Sequence, residues 1–341
     1  MSSGVTPLRW GVLSTAKIAR EHLIPAIKAT DDCVVAAVAS REGSRARKFA
    51  DENGIERSYG SYEELIDAPD IDVIYNPLPN NLHAELTLAA AAAGKHVLCE
   101  KPFTMDLAEA QQLRSDLAAL SNRFPAGEAP VVMEAFMYQF HPQWEMVFDL
   151  VADERIGQLV SVQTWFSYFG DDPANIRNIP ELGGGALMDI GCYAIHSARR
   201  LFAAEPTRVQ GTLDIHPTFG IDVTASAVLD FPDRGQATFT VSTQSDFDQR
   251  VHIIGTAGRI EITRPFNAQR DLAMTVRVGA GMGELYDQPL ETMSFGPVDQ
   301  YAIMVDRFAS ALIEGAPAPV SLDDAVANMA VIDALRAAAA G

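Results

Sequence analysis

Short apolar runs alternate with helical stretches through residues 8–120, and this alternation narrows the possible folds more than any other feature. Leu8 to Leu13 reads as a buried strand, Ile18 to Thr30 as a helix, and Val34 to Ala39 as a second strand. Helices follow at Ser44 to Asn53 and Tyr62 to Ile66, then a strand at Ile71 to Tyr75. Leu82 to Ala93 is an alanine-rich helix closed by Gly94, a residue suited to the left-handed backbone at a helix end. Val97 to Cys99 and Leu107 to Leu120 add one more strand and one more helix. Strands separated by helices need crossover connections, so the first part is expected to be a doubly wound parallel sheet.

Beyond Ser121 to Pro130, where Pro125, Gly127 and Pro130 suggest a connecting segment, the rhythm changes. Val131 to Tyr138 and Leu159 to Phe169 read as strands around a helix at Gln143 to Asp153. A glycine-rich turn, Gly183-Gly184-Gly185, leads into a helix ending near Phe202. Strands then follow without helices between them: Arg208 to Ile215, Asp222 to Phe231, Gln236 to Thr243, Arg250 to Gly255, Arg259 to Thr263 and Leu272 to Val278. Short turns such as Pro232-Asp233-Arg234-Gly235 make them a large, mainly antiparallel open sheet. Two helices, Val298 to Glu314 and Leu322 to Ala339, close the chain. The expected division is an α/β domain at 1–125 and an α+β domain at 126–341 that binds substrate and dimerises. An open sheet with one apolar face needs a cover, so a homodimer built face to face through that sheet is expected, unless the terminal helices cover it.

The chain has 341 residues, room for two domains, and a formal net charge of −19, which argues against nucleic acid or an anionic membrane surface as partner. The apolar run Leu86 to Gly94 is too short to span a bilayer, and Met1 to Trp10 shows no secretory pattern. Cys33, Cys99 and Cys192 lie far apart, as expected of reduced, buried thiols in a cytoplasmic protein. No cluster has metal-ligand spacing, and no metal is expected.

The first turn reads Gly11-Val12-Leu13-Ser14-Thr15-Ala16-Lys17-Ile18-Ala19. Ser14, Ala16 and Ala19 take the three glycine places of the dinucleotide fingerprint, which makes the first domain a Rossmann-type candidate. An ordinary tight strand-to-helix turn would read the same way. The end of the second strand adds to it. An NAD site places Asp or Glu there, whereas this chain has Ser40-Arg41, followed by Arg45, Arg47 and Lys48. Cations in a first helical turn oppose the helix dipole and call for an anion. A 2′-phosphate would supply it, with Arg41 as planar partner and Ser40 as hydroxyl donor, so NADP is expected in preference to NAD. Arg47 and Lys48 read as a solvated face.

With Glu100-Lys101-Pro102 after a strand, Pro79-Asn80-Asn81-Leu82-His83 before it, and Gly183 to Tyr193 in the second domain, the chain resembles the Gfo/Idh/MocA oxidoreductases. Within them it is most similar to NADP-linked aldose (xylose- or glucose-type) dehydrogenases and dihydrodiol dehydrogenases, whose signature resembles Met133 to Pro142. Relatives often carry Arg where Gln139 stands. The resemblance implies cofactor contacts at Ser14, Thr15, Ala16, Ile18, Ser40, Arg41, Arg45, Leu78, Asn81, His83, Glu100, Lys101 and Arg177. It implies catalysis by Lys101, Asp189 and Tyr193, with Trp165 and His196 also at the substrate. Asp189 and Tyr193 are four apart and leave one face of a helix. A free phenol has a pKa of ~10, and a neighbouring ammonium would lower it by ~1–3 units. Tyr193 is thus expected to exchange the substrate proton with support from Lys101, while Asp189 binds a neighbouring hydroxyl or orients Lys101. The expected reaction is aldose C1 oxidation to a lactone or the reverse carbonyl reduction. Oxidation of aromatic diols and a non-catalytic NADP-sensing role on the same fold are the alternatives. A pure sensor would need neither Lys101 nor Tyr193.

Overall fold

A computed structural model describes residues 6–125, 127–280 and 289–340. The first five residues of the stretch read as lacking a secretory pattern lie outside them. The chain divides into two compact units, 1–136 with Tyr301–Val326, and Met137–Gln300 with 327–341. The sequence reading draws one boundary; the observed units interleave, because the chain returns to the first unit late.

In the first unit, β1 (Leu8–Leu13) is followed by a π-helical turn at Ala19–Leu23 and α1 (Ile24–Ala29). One continuous helix was expected here. Pro25 has no N–H to give the preceding turn, and the backbone widens so that Ile24 N–H bonds to the Ala19 carbonyl. Next come β2 (Cys33–Ala39), α2 (Gly43–Asn53), β3 (Arg57–Tyr59), α3 (Tyr62–Ile66), β4 (Val73–Asn76), α4 (His83–Ala92), β5 (His96–Cys99), α5 (Leu107–Ser121) and β6 (Val132–Glu134). The six strands lie in the order β3-β2-β1-β4-β5-β6, all parallel. The central strands are buried on both faces, which is why Val73–Asn76 shows no polar alternation. The short β3 was not legible, having only three half-buried residues. The strand read at Val131 to Tyr138 stops at Glu134, and Met137–Phe140 forms a 3-10 turn.

The second unit holds α6 (Pro142–Ala152), β7 (Leu159–Phe169), α7 (Cys192–Phe202) and β8 (Arg208–Ile215). It continues with β9 (Asp222–Asp230), β10 (Gln236–Ser242), β11 (Gln244–Gly255), β12 (Gly258–Ile262), β13 (Met274–Ala280) and β14 (Glu291–Phe295). Their order is β14-β13-β12-β11-β7-β10-β9-β8. Every pairing is antiparallel except β7 with β10. Strand β14 was not expected from the sequence. Helix α8 (Gln300–Glu314) lies in the first unit save its first residue, and α9 (Leu322–Ala339) begins in the first and ends in the second.

Period-two alternation sorts the sheet residues between faces. Val162, Phe166, Ala225, Leu229, Phe239, Val241, Val251 and Ile253 are buried. The opposite face carries Gln163, Trp165, Ser226, Val228, Thr238, Thr240, Arg250 and His252 around a concavity of about 690 Å³. This open face is richer in Thr, Ser and Gln than the apolar face expected from sequence. Hydroxyl pairs bridge its strands, Thr224 with Ser242 and Ser226 with Thr240, each at 2.9 Å.

Candidate active site

The turn after β1 begins at Ser14, whose φ of +108° lies where glycine is favoured. Its N–H bonds to the Ala39 carbonyl at 2.9 Å, which ties the turn to the end of β2. Thr15, Ala16 and Ile18 are half-buried, and Ala19 is fully buried, as close packing of helix on strand requires. Ser40 is buried and its Oγ accepts a long bond from Glu42 N–H at 3.4 Å. Arg41 and Arg45 are exposed and converge on Tyr62. Burial raises the proton affinity of that phenol, while the charges of the two guanidiniums hold it back. Tyr62 was not singled out from sequence; it stands at the start of α3, a turn with no motif of its own.

Asn80 to His83 forms the next turn. Asn81 Oδ1 is buried without a hydrogen-bond partner, an acceptor left over for a ligand donor. Leu78 is buried beside it in sequence. His83 is held by the backbone of two loops. It is wholly buried, with Nδ1 2.9 Å from the Pro102 carbonyl and Nε2 2.8 Å from the Leu78 carbonyl. Burial, aided by the Lys101 charge and only partly offset by the two carbonyls, pushes its pKa down to about 4. The ring sits between the loop after β4 and the loop after β5, with a backbone carbonyl facing each of its nitrogens. Glu100 Oε1 accepts from the fully buried Tyr75 hydroxyl at 2.8 Å, and Glu100 N–H bonds to the Asn76 carbonyl at 3.0 Å. Lys101, half-buried, follows directly. A glycine-like turn, an orphaned buried acceptor and two exposed guanidiniums after β2 form a set of donors and one acceptor that suits a phosphorylated dinucleotide.

In the second unit each glycine of the triplet has its own reason. Gly183 ends a short 3-10 turn with φ +79°. A methyl on Gly184 would lie 2.5 Å from the Arg177 carbonyl oxygen. Gly185 has φ +121° and would press its methyl onto Asp222 Oδ1. Asp222 Oδ2 accepts from Leu187 N–H at 2.6 Å, capping the π-helical turn Leu187–Gly191 that precedes α7. Burial pushes the Asp222 carboxyl up to about 6.

That turn carries Asp189, and α7 carries Tyr193. Asp189 Oδ2 accepts from the Tyr168 hydroxyl at 2.6 Å and pairs with Arg177 Nε at 2.9 Å. Arg177, grouped with the cofactor by sequence, is therefore tied to the carboxylate, which holds its guanidinium still more firmly charged. Tyr193 is 5 % exposed and its hydroxyl lies 3.5 Å from Met137 Sδ. The rings of Tyr138, Phe166 and Phe266 pack around it, with centroids 5.8, 5.9 and 5.3 Å away. His196 is fully buried and bonds through Nδ1 to the Tyr138 hydroxyl at 2.5 Å.

Phe266 owes its place to a backbone clamp. Gln143 Nε2 donates to the Arg264 carbonyl at 2.9 Å, Trp144 Nε1 to Pro265 at 2.5 Å, and Gln300 Nε2 to Phe266 at 2.9 Å. Gln249 Oε1 accepts from Phe266 and Asn267 N–H at 2.9 and 3.0 Å. Nothing local in the sequence announces this.

Trp165 is a correction. Strand alternation puts it on the open sheet face, opposite Phe166 and Tyr168, with its Nε1 on Ser167 Oγ at 2.9 Å and the Arg250 guanidinium 5.8 Å from its ring. Tyr168 is the β7 side chain that reaches Asp189. Strand alternation puts Phe166 on the same face as Tyr168. Gln139 is buried within its 3-10 turn. The three cysteines are buried, and burial pushes the Cys33 thiol up to about 11. Among the described residues, no group of three or more His, Cys, Asp or Glu side chains is placed to hold a metal, and no helix is long and apolar enough to cross a membrane.

Residues 8–127 match the oxidoreductase family with an NAD-binding Rossmann fold, and residues 144–261 match the GFO/IDH/MocA C-terminal domain. An uncharacterized oxidoreductase, ORF334, of Rhizobium meliloti is 41% identical over 97% of each chain. A D-xylose 1-dehydrogenase (NADP(+)) of Haloferax volcanii is 38% identical over 96% of each. The crystal structure of KijD10, a 3-ketoreductase from Actinomadura kijaniata in complex with NADP and TDP-benzene, superposes with a TM-score of 0.88 at 29% identity, covering 98% of both chains.

Proposed function

The chain belongs to the Gfo/Idh/MocA oxidoreductase family, and from that premise we propose that it is an NADP-dependent dehydrogenase or reductase of sugars. The observation that carries the reading is Tyr193, a phenol enclosed by three aromatic rings and set four residues after an ion-paired aspartate. The xylose dehydrogenase and the NADP-bound ketoreductase support the substrate class and the cofactor.

When bound, NADP supplies the acceptor for the hydride leaving the substrate carbon. Arg41 and Arg45 would hold its 2′-phosphate, and Asn81, with its buried acceptor, and Glu100, steadied by Tyr75, would help to hold the dinucleotide. Lys101 donates to the reacting hydroxyl. Tyr193 takes the hydroxyl proton in oxidation and returns it in reduction. Asp189 orients a neighbouring hydroxyl.

The test is a panel of aldoses, polyols and aromatic diols, followed by NADPH absorbance with NADP and NAD side by side. Turnover on aldoses is expected; turnover confined to aromatic diols would replace the substrate class. Tyr193→Phe is expected to remove at least about 100-fold of kcat while NADP binding stays within about two-fold, as loss of a general acid–base does. Retained turnover would remove the mechanism.

A second copy of the chain is the proposed cover of the open sheet face, and the cytoplasm the proposed location. Light scattering of the purified protein is expected to give a dimer mass, and Val228→Glu to shift it towards monomer. A monomer in the unmodified protein would overturn this part.

A further inference from the structure

Asp189 and Tyr193 leave one face of a helix a turn apart, so the charge of the first bears on the proton of the second. A bare carboxylate there would hold the phenol protonated. The carboxylate is not bare. It is 12 % exposed, and a single oxygen, Oδ2, takes both the Tyr168 hydroxyl at 2.6 Å and Arg177 Nε at 2.9 Å. Against Tyr193, Met137 offers a thioether, while Phe166 and Phe266 are apolar. Tyr138 shares its hydroxyl with His196, buried on α7 itself. Arg177 is the cation paired with this carboxylate, and the field of the guanidinium extends to Tyr193.

We propose that Arg177 is a positioning residue that tunes Tyr193: by pairing with Asp189, with Tyr168 on the same oxygen, it cancels the carboxylate's field and keeps the phenol able to exchange a proton near neutral pH. The inference rests on Tyr193 as the acid–base group. It also separates two duties. Lys101 acts on the reacting hydroxyl, whereas Arg177 acts on the charge around the phenol, by its pairing with Asp189 and by its own field.

The phenol can be titrated without turnover, from the tyrosinate absorbance that is lost in Tyr193→Phe. Arg177→Gln is expected to raise the Tyr193 titration by about one to two pH units, the size of an uncompensated charge about a helical turn away in a partly screened site. Arg177→Lys is expected to stay near the parent. Asp189→Asn, which leaves the cation without its partner, is expected to lower the titration. The double variant Arg177→Gln/Asp189→Asn is expected to return it to within about half a unit of the parent. The pH profile of kcat/KM should move with each titration, while NADP affinity, read by quenching of NADPH fluorescence, should not. Uniform loss of rate with an unmoved titration in Arg177→Gln would overturn the proposal, as would a double variant that stays shifted. If Arg177→Gln does not fold, Asp189→Asn and the double variant decide the matter alone. Turnover retained in Tyr193→Phe would sink the functional reading, yet the absorbance titration would still report whether the coupling exists.

Discussion

The triple glycine offers a graded test, because its three members are small for different reasons. At Gly183, φ +79° is left-handed backbone that asparagine tolerates, so Gly183→Asn should cost less than about 1 kcal/mol and Gly183→Ala about 1–2 kcal/mol. At Gly184 the obstacle is main chain. An added methyl lies 2.5 Å from the Arg177 carbonyl oxygen and 2.9 Å from that of Ile179, and neither can rotate away. Overpacking of this kind costs about 1–3 kcal/mol, and here the relief would displace Arg177 from Asp189. Gly185 combines both penalties. Its φ of +121° costs a β-carbon residue about 1–3 kcal/mol, and the methyl meets the Asp222 carboxylate that caps the turn below Asp189. Gly185→Ala should therefore destabilise by about 2–6 kcal/mol, the sum of the two effects. Urea unfolding followed by tryptophan fluorescence measures the series, with turnover in parallel. The expected order is Gly183→Asn, Gly183→Ala, Gly184→Ala, Gly185→Ala, with catalysis falling at the last two even where the protein is folded. Equal costs at all three positions would refute the reasoning, and so would a Gly184→Ala variant as stable and active as the parent.

Arg41→Ala should weaken NADP by about 10–100-fold, the worth of a charged hydrogen bond to phosphate, while NAD changes by less than about three-fold. Equal losses by fluorescence titration would refute the phosphate assignment. Asp222 predicts a pH dependence. Its folded pKa of about 6 lies above the ordinary carboxyl value, so the folded state holds this proton more tightly. The contribution is full below about pH 4 and is lost as pH rises through 6, a change of about 3 kcal/mol by linkage. Asp222→Asn, which cannot ionise, should show a flatter stability curve between pH 4 and 7; parallel curves would count against it.

Much of the fold was legible because its signals are local. Buried parallel strands such as Val73–Asn76 show as unbroken apolar runs, and α2 and α5 show helical spacing within their own residues. The cofactor turn could be read through Ser14, Ala16 and Ala19 because small residues at fixed offsets answer a local need for close backbone approach. Glu100-Lys101-Pro102 and the glycine triplet likewise stand within a few residues of one another.

The sequence by itself determined the alternating periods, and hence which stretches are strand or helix and where a dinucleotide would lie along the chain. Only the tertiary structure decided which face of β7 is covered, putting Tyr168 rather than Trp165 on Asp189. It also brought Arg177 to that carboxylate, clamped Arg264 to Asn267 with four side chains from three distant places, and returned Tyr301–Val326 to the first unit. Periodicity is a property of neighbours in the chain, whereas these meetings depend on strand register and on which surfaces are buried together. A residue's type says what it can bond, but only the packed fold brings a partner within about 3 Å.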